Sequence, residues 1–198
     1  MASIYDTIYP KFKKEFTQIE LQEIYTPTEA ELKFADKVTG RKSTKLCFLI
    51  TLKCFQRLGY FISITNVPDS IASHISDFSN ISISETTKLN YNKSGIKKKH
   101  IQIIRELLNV KPFDHEARHL IVTAIGKAAK TKDEPTDLIN IAIEELVKNS
   151  YELPAFSTIE RAVNRIRVSV NRSFYRKIFD SLDEEEVNKI NNLLETDE

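Results

Sequence analysis

The sequence predicts an all-α fold, a multi-helix array carrying two helix-turn-helix-like units, and three observations predict it. Only four glycines occur in 198 residues, too few for the turns that a sandwich or barrel needs. Apolar residues recur at three- and four-residue spacing through most of the chain, which is the repeat of one helix face. Between those stretches stand helix-start signals: a hydroxyl or acidic residue with Glu three places later, or a proline at a first-turn position. The remaining composition, 41% hydrophobic and 29% charged, is that of a globular protein able to bury one large core or two small ones.

In chain order, Thr17 with Glu20 forms a capping box that opens the first helix. Thr26-Pro27 starts a second, with Pro27 at its first position, and Gly40 ends the segment. From Lys42 to Leu58 the pattern Leu46, Phe48, Leu49, Leu52, Phe55, Leu58 reads as a buried helix stopped by Gly59. Val67-Pro68 begins another through Ile71, Ile75 and Phe78, and the serine-rich residues 79–84 turn the chain. A short helix spans Glu85 to Tyr91, and Lys93-Ser94-Gly95 hinges it to a helix from Ile96 to Leu108. After a break around Pro112, Asp114 caps a helix from His115 to Ala129. Pro135 opens the next, to Lys148. Leu153-Pro154 forms a tight break before a long helix of about 157–179, capped by Ser157 or Thr158, and Asp183 starts a last acidic helix. This divides the chain into an N-terminal helical domain with a first basic unit (1–112), a second helical unit with the long helix (113–179) and an acidic tail (180–198).

The net charge of +1 conceals a segregation. Residues 180–198 hold eight acids and one base, so that residues 1–179 hold 20 acids and 28 bases. A basic body suits a polyanionic partner. Cys47 and Cys54 share one apolar helix face too far apart for a disulfide, and two buried thiols point to a reducing compartment. The opening stretch MASIYDTIYPKFKKEF lacks the apolar run of a signal peptide, and no run of 18 apolar residues offers a membrane span.

On a wheel of the 157–179 helix, Ile159, Val163, Ile166, Val170 and Phe174 share one arc, and Arg161, Arg165, Arg172 and Arg176 share a second, nearly opposite. Arginine's planar fork of donors suits phosphates and guanine edges. If the preceding helix and this one form a helix-turn-helix, Ser157, Thr158, Arg161 and Arg165 meet base edges. A second cluster, Lys93, Lys97, Lys98, Lys99, Gln102 and Arg105, sits on a helix whose Ile96, Ile103, Ile104, Leu107 and Leu108 face inward; lysines there suit phosphate contact. Two other readings compete. His115-Glu116-Ala117-Arg118-His119 matches the H-E-x-x-H pattern of a zinc hydrolase, but it occupies a first helical turn, where the dipole disfavours a cation, and no further histidine follows. The arginine ridge would equally serve a helical protein–protein module that docks an acidic partner, its own tail included.

The stretches KLCFLITLKCFQRLGYF, NVPDSIASHISDF, YNKSGIKKKHIQIIRELLNVKPFD and LPAFSTIERAVNRIRVSVNRSFYRKI, in that order and spacing, resemble the N-terminal region of Tn-three family replicative transposases. The resemblance covers about residues 25–179. It implies recognition of transposon terminal inverted repeats in double-stranded DNA, with Lys97 to Arg105 and Thr158 to Arg176 on the two basic motifs, self-association in a transpososome, and a bacterial cytoplasm, on the nucleoid when bound. The first motif is lysine-rich here where the family tends to arginine. The family's catalytic core, three carboxylates with magnesium, lies downstream, so the resemblance implies a DNA-binding fragment with no catalytic residue, metal or cofactor of its own.

Overall fold

The computed structural model describes residues 3–195. Among them are ten α-helices and no β-strand. The chain's hydrophobic interior falls into two clusters, one built around a single central helix and one inside a three-helix bundle.

The first array opens with α1 (Gln18–Glu20), capped by the reciprocal Thr17–Glu20 box expected from the sequence and continued by a wider π-helical turn to Tyr25. The next helix, α2 (Glu29–Val38), begins later than Thr26-Pro27 suggested. Thr28 accepts from the Glu31 backbone N–H while Glu31 reaches back to the Thr28 N–H, so a second capping box overrides the proline signal. Helix α3 (Lys42–Leu58) is the axle: every residue from Leu46 to Phe55 is buried, and the helix ends at Gly59 in the left-handed region (φ 72°). A helix apolar on most of its circumference must be surrounded. Around α3 stand α2, α4 (Asp69–Ser79), α5 (Glu85–Lys93) and α6 (Gly95–Leu108). Cys47 and Cys54 are free inside this array, their thiols pushed up to about 12 by burial.

The second array is α7 (His115–Ala128), α8 (Pro135–Lys148) and α9 (Phe156–Ser181), packed pairwise on one another. Its interior is Ala117, Ile121 and Ile125 from α7, Leu138, Ile139, Ala142, Ile143 and Leu146 from α8, and Ile159 with Val163 from α9. Burying one such aliphatic side chain contributes roughly 1.5–3 kcal/mol. The final helix, α10 (Glu184–Glu195), follows an extended Leu182, and Asp183 with Glu186 forms its start.

Four features join the arrays. The Leu153 N–H donates to the Gly59 carbonyl at 2.8 Å. Lys111 and Tyr151 form an isolated parallel bridge. Beside it, the Arg105 guanidinium grips Glu152 in a two-point ion pair (Nε–Oε2 3.0 Å, Nη2–Oε1 2.8 Å), and Glu152 Oε1 also accepts from the Phe113 backbone N–H at 3.1 Å. The N-terminal segment crosses to the second array, where Tyr9 stacks edge-on to Phe156 at 5.5 Å and its hydroxyl donates to the Pro154 carbonyl at 2.8 Å.

Candidate nucleic-acid interface

Helix α9 starts where the chain leaves Pro154. Ala155 is its N-cap, and no side chain caps it. Ser157 and Thr158 therefore lie inside the first turn rather than at the cap, because Phe156, held against Tyr9, already occupies the first helical position. The connection from α8 is also longer than the tight break expected: residues 149–155 lead out of Lys148, bridge to Lys111, pass Glu152 and only then reach α9.

The 26 residues of α9 span about 39 Å at 1.5 Å per residue, far more than its core uses. Ile159 and Val163 are buried, and Ile166 and Val170 are half-buried. Phe174, expected in the same buried arc, is 61% exposed, because α7 and α8 have ended and nothing among the described residues covers the distal half. Tyr175, Ile178 and Phe179 are exposed there too.

The arginine face is what this projection presents. Arg161, Arg165, Arg172 and Arg176 are all exposed. Arg161 donates from Nε to the Ser157 carbonyl of its own helix at 3.0 Å, which aims it along α9. None of the four has a carboxylate partner among the described residues. The arginine of α9 that does pair is Arg167, off the ridge, with Asp133 at 3.0 Å.

At its proximal end the ridge borders a groove between α7 and α9, of about 330 Å³, lined by Thr158, Arg161, Arg165 and, from across on α7, Arg118. Arg118 lies over the Phe113 ring, 5.1 Å to the centroid. Phe113, Ile121, Val122, Ala162 and Ile166 supply the apolar floor and walls, and no acid lines the groove. Sequence reasoning missed Arg118, which it met only as a filler position in the H-E-x-x-H pattern. The signal was available: Arg118 adjoins the buried stripe Ala117, Ile121, Ile125 on the helical wheel, so it had to stand at that helix's packing margin.

The second cluster is less uniform. Lys93, Lys98 and Lys99 are exposed, without an ion pair among the described residues. Lys97 is half-buried, donates to Asn92 Oδ1 at 3.1 Å, and burial holds its ammonium below the ordinary lysine range. Gln102 donates to Glu106 at 3.0 Å. Arg105, expected to face outward, is instead engaged by Glu152. The inward face also differs from expectation: Ile96 and Leu107 are exposed, whereas His100 is only 2% exposed, its Nδ1 2.9 Å from the Tyr91 hydroxyl and its ring edge-on to Phe48. Burial, with Lys99 nearby, holds the His100 imidazole down to about 4.

His115, Glu116 and His119 occupy the first turns of α7, with Asp114 accepting from the Ala117 N–H at 3.0 Å as the cap. The Tyr151 hydroxyl donates to Glu116 at 3.4 Å. No group of three or more His, Cys, Asp or Glu side chains among the described residues is placed to hold a metal ion. No helix among them is long and apolar enough to cross a membrane.

The helical array thus ends in a projecting arginine face with no carboxylate partner among the described residues. The chain belongs to the family described as domain of unknown function DUF4158, whose profile matches residues 4–166. It is 22% identical over 196 residues to the transposase for transposon Tn1546 of Enterococcus faecium, covering 96% of this chain and 20% of that protein. It is 24% identical over 180 residues to the transposase for transposon Tn501 of Pseudomonas aeruginosa, covering 90% of this chain and 18% of that protein. The chain thus spans about one fifth of the length of the curated relatives it matches, and it is a transposase-related region.

Proposed function

We propose that this chain is a DNA-binding region of a transposase, in which α9 reads the terminal inverted repeats of the transposon and α6 grips neighbouring phosphates. The observation that carries the reading is the row Arg161, Arg165, Arg172, Arg176, exposed along one face of a helix that outruns its core and unanswered by any carboxylate among the described residues. Keeping four guanidiniums on one face costs repulsion in the free protein, and a polyanion relieves it. A row about four turns long follows a groove better than it fits a small ligand. The similarity to two transposases favours DNA as that polyanion.

In this reading Ser157, Thr158, Arg161 and Arg165, nearest the start of α9, meet base edges, and Arg172 and Arg176 follow the backbone. Lys93, Lys97, Lys98, Lys99 and Gln102 on the α5–α6 side contact phosphates, and Arg105 fixes the spacing between the sites through Glu152. The units 1–112 and 113–179 then act as two helix-turn-helix-like readers followed by an acidic tail, self-association belongs to the assembled transpososome, and strand-transfer chemistry, with its metal, lies outside this chain. The test is selection of bound duplexes from a randomised pool, followed by affinity measurements. The wild-type chain is expected to enrich one motif. Arg161→Ala and Arg165→Ala are expected to lose discrimination for it, and Lys98→Ala to weaken selected and random duplexes alike. Recovery of no duplex at low salt refutes the proposal.

A further inference from the structure

We infer that the α7–α9 groove is a clamp for a single backbone phosphate of duplex DNA, held jointly by Arg118, Arg161 and Arg165. The inference rests on the DNA-binding reading and adds to it a residue, Arg118, and a ligand atom group that the ridge alone does not define. Three observations carry it. Guanidiniums from two different helices line one groove of about 330 Å³ with no acid among its lining residues. Two of them are oriented by the fold: Arg118 by the face of Phe113 and Arg161 by the Ser157 carbonyl. Thr158 lines the same groove, and the rest of its lining is apolar. A carboxylate partner would have neutralised this convergence, and a hydrophobic ligand would have left it unanswered. A tetrahedral phosphodiester, with two anionic oxygens to share among forked donors, answers it. Arg161 and Arg165 each carry several N–H donors, so each gives some to this phosphate and keeps others for a base edge, and the clamp fixes the register of the same turns of α9 that meet the bases.

A phosphate shared by three arginines has a signature that independent contacts lack. Duplex affinity falls with salt with a slope of about 0.9 per neutralised phosphate. The experiment measures binding of a short random-sequence duplex by the full chain across about 50–200 mM salt. It compares wild type, Arg118→Gln, Arg165→Gln, the double variant and Arg172→Gln, with unchanged ellipticity and melting as the folding control. Arg118→Gln and Arg165→Gln are each expected to weaken binding several-fold, and the double variant to lower the slope by about 0.9 in total. Arg118→Lys, which keeps the charge and loses the fork, is expected to recover the slope but not the full affinity.

Slopes that drop by about 0.9 in each single variant and by about twice that in the double mean separate phosphates and overturn the shared clamp. Unchanged affinity in Arg118→Gln alongside a loss in Arg172→Gln overturns the clamp and leaves the DNA reading standing. Binding of inorganic phosphate that depends on Arg118 while duplex affinity does not makes the groove a free-anion site and also overturns it. Failure of the wild-type chain to bind any duplex removes the DNA reading and the clamp together.

Discussion

Glu152 is the residue on which the two helical arrays are expected to depend most. It is 13% exposed in its side chain, and its two oxygens receive both donors of Arg105 and the Phe113 backbone N–H. Glu152→Ala strips three hydrogen bonds at once. Bonds to a buried charged group contribute about 1.5–3 kcal/mol each, but the Arg105 side chain is 29% exposed, so water takes over much of what its two donors lose. The net cost is then about 2–3 kcal/mol, below the roughly 3–5 kcal/mol of a fully buried broken pair. For a chain of this size that is roughly 4–12 °C in melting temperature. Glu152→Gln keeps one acceptor oxygen, for Phe113 and one Arg105 donor, but loses the charge and sets an amide NH2 against the other Arg105 donor, so it is expected to cost about 1–2 kcal/mol. The assay is urea unfolding of wild type, Glu152→Ala, Arg105→Ala and the double variant. A coupling of about 1–2 kcal/mol between the two positions is expected. A loss under about 0.5 kcal/mol for Glu152→Ala, or strict additivity in the cycle, refutes the assignment of the joint to this pair.

Three further outcomes follow from single sites. His100, ordinarily titrating near 6.5, is held neutral down to about 4; the unfolded chain binds its proton first, so stability is full above pH 6.5 and falls as pH drops toward 4. Urea unfolding is expected to show about 2 kcal/mol lost between pH 6.5 and 5, a loss absent from His100→Gln, which keeps a hydrogen-bond partner for Tyr91 and does not titrate; an equal loss in that variant assigns the effect elsewhere. Gly59→Ala meets Leu153 at an ordinary 3.5 Å, so its cost is the backbone at φ 72° alone, about 1–2 kcal/mol by thermal melting, and a neutral result contradicts the left-handed stop of α3. Cys47 and Cys54, with thiols near 12, are expected to react with a thiol reagent at mildly alkaline pH only as fast as the chain unfolds; rapid labelling of the native protein contradicts their burial.

The helix inventory was legible because its signals are local. The Thr17–Glu20 box, the Asp114 cap, Pro135 at the head of α8 and Gly59 at the end of α3 each act within one turn, and each lies where the sequence placed it. The misplaced start of α2 is a contest between two local signals, in which the Thr28–Glu31 box completes both of its hydrogen bonds. The errors on α6 and α9 have another origin. A helical wheel says which residues share a face but not how far a neighbouring helix extends along it. Phe174 continues the stripe of Ile159 and Val163 and is exposed because its neighbours end first. His100 is polar by type and buried by position, since Tyr91 and Phe48 close over it.

The candidate site divides along the same line. The ridge is a property of one helix, so its four arginines could be read from spacing alone. The groove is a property of two helices distant in sequence, and Arg118 became meaningful only when α7 was laid beside the start of α9. Arg105 is the converse case. By spacing it belongs with the lysines of α6, and by geometry its charge is taken by Glu152, 47 residues away. Charge that the fold leaves unpaired is therefore the sharper indicator of where an anion binds. Lys93, Lys98 and Lys99 are also without an ion pair among the described residues, so what sets the start of α9 apart is convergence: in the proposed reading, Arg118, Arg161 and Arg165 around one groove hold the anion more specifically than the lysines of α6.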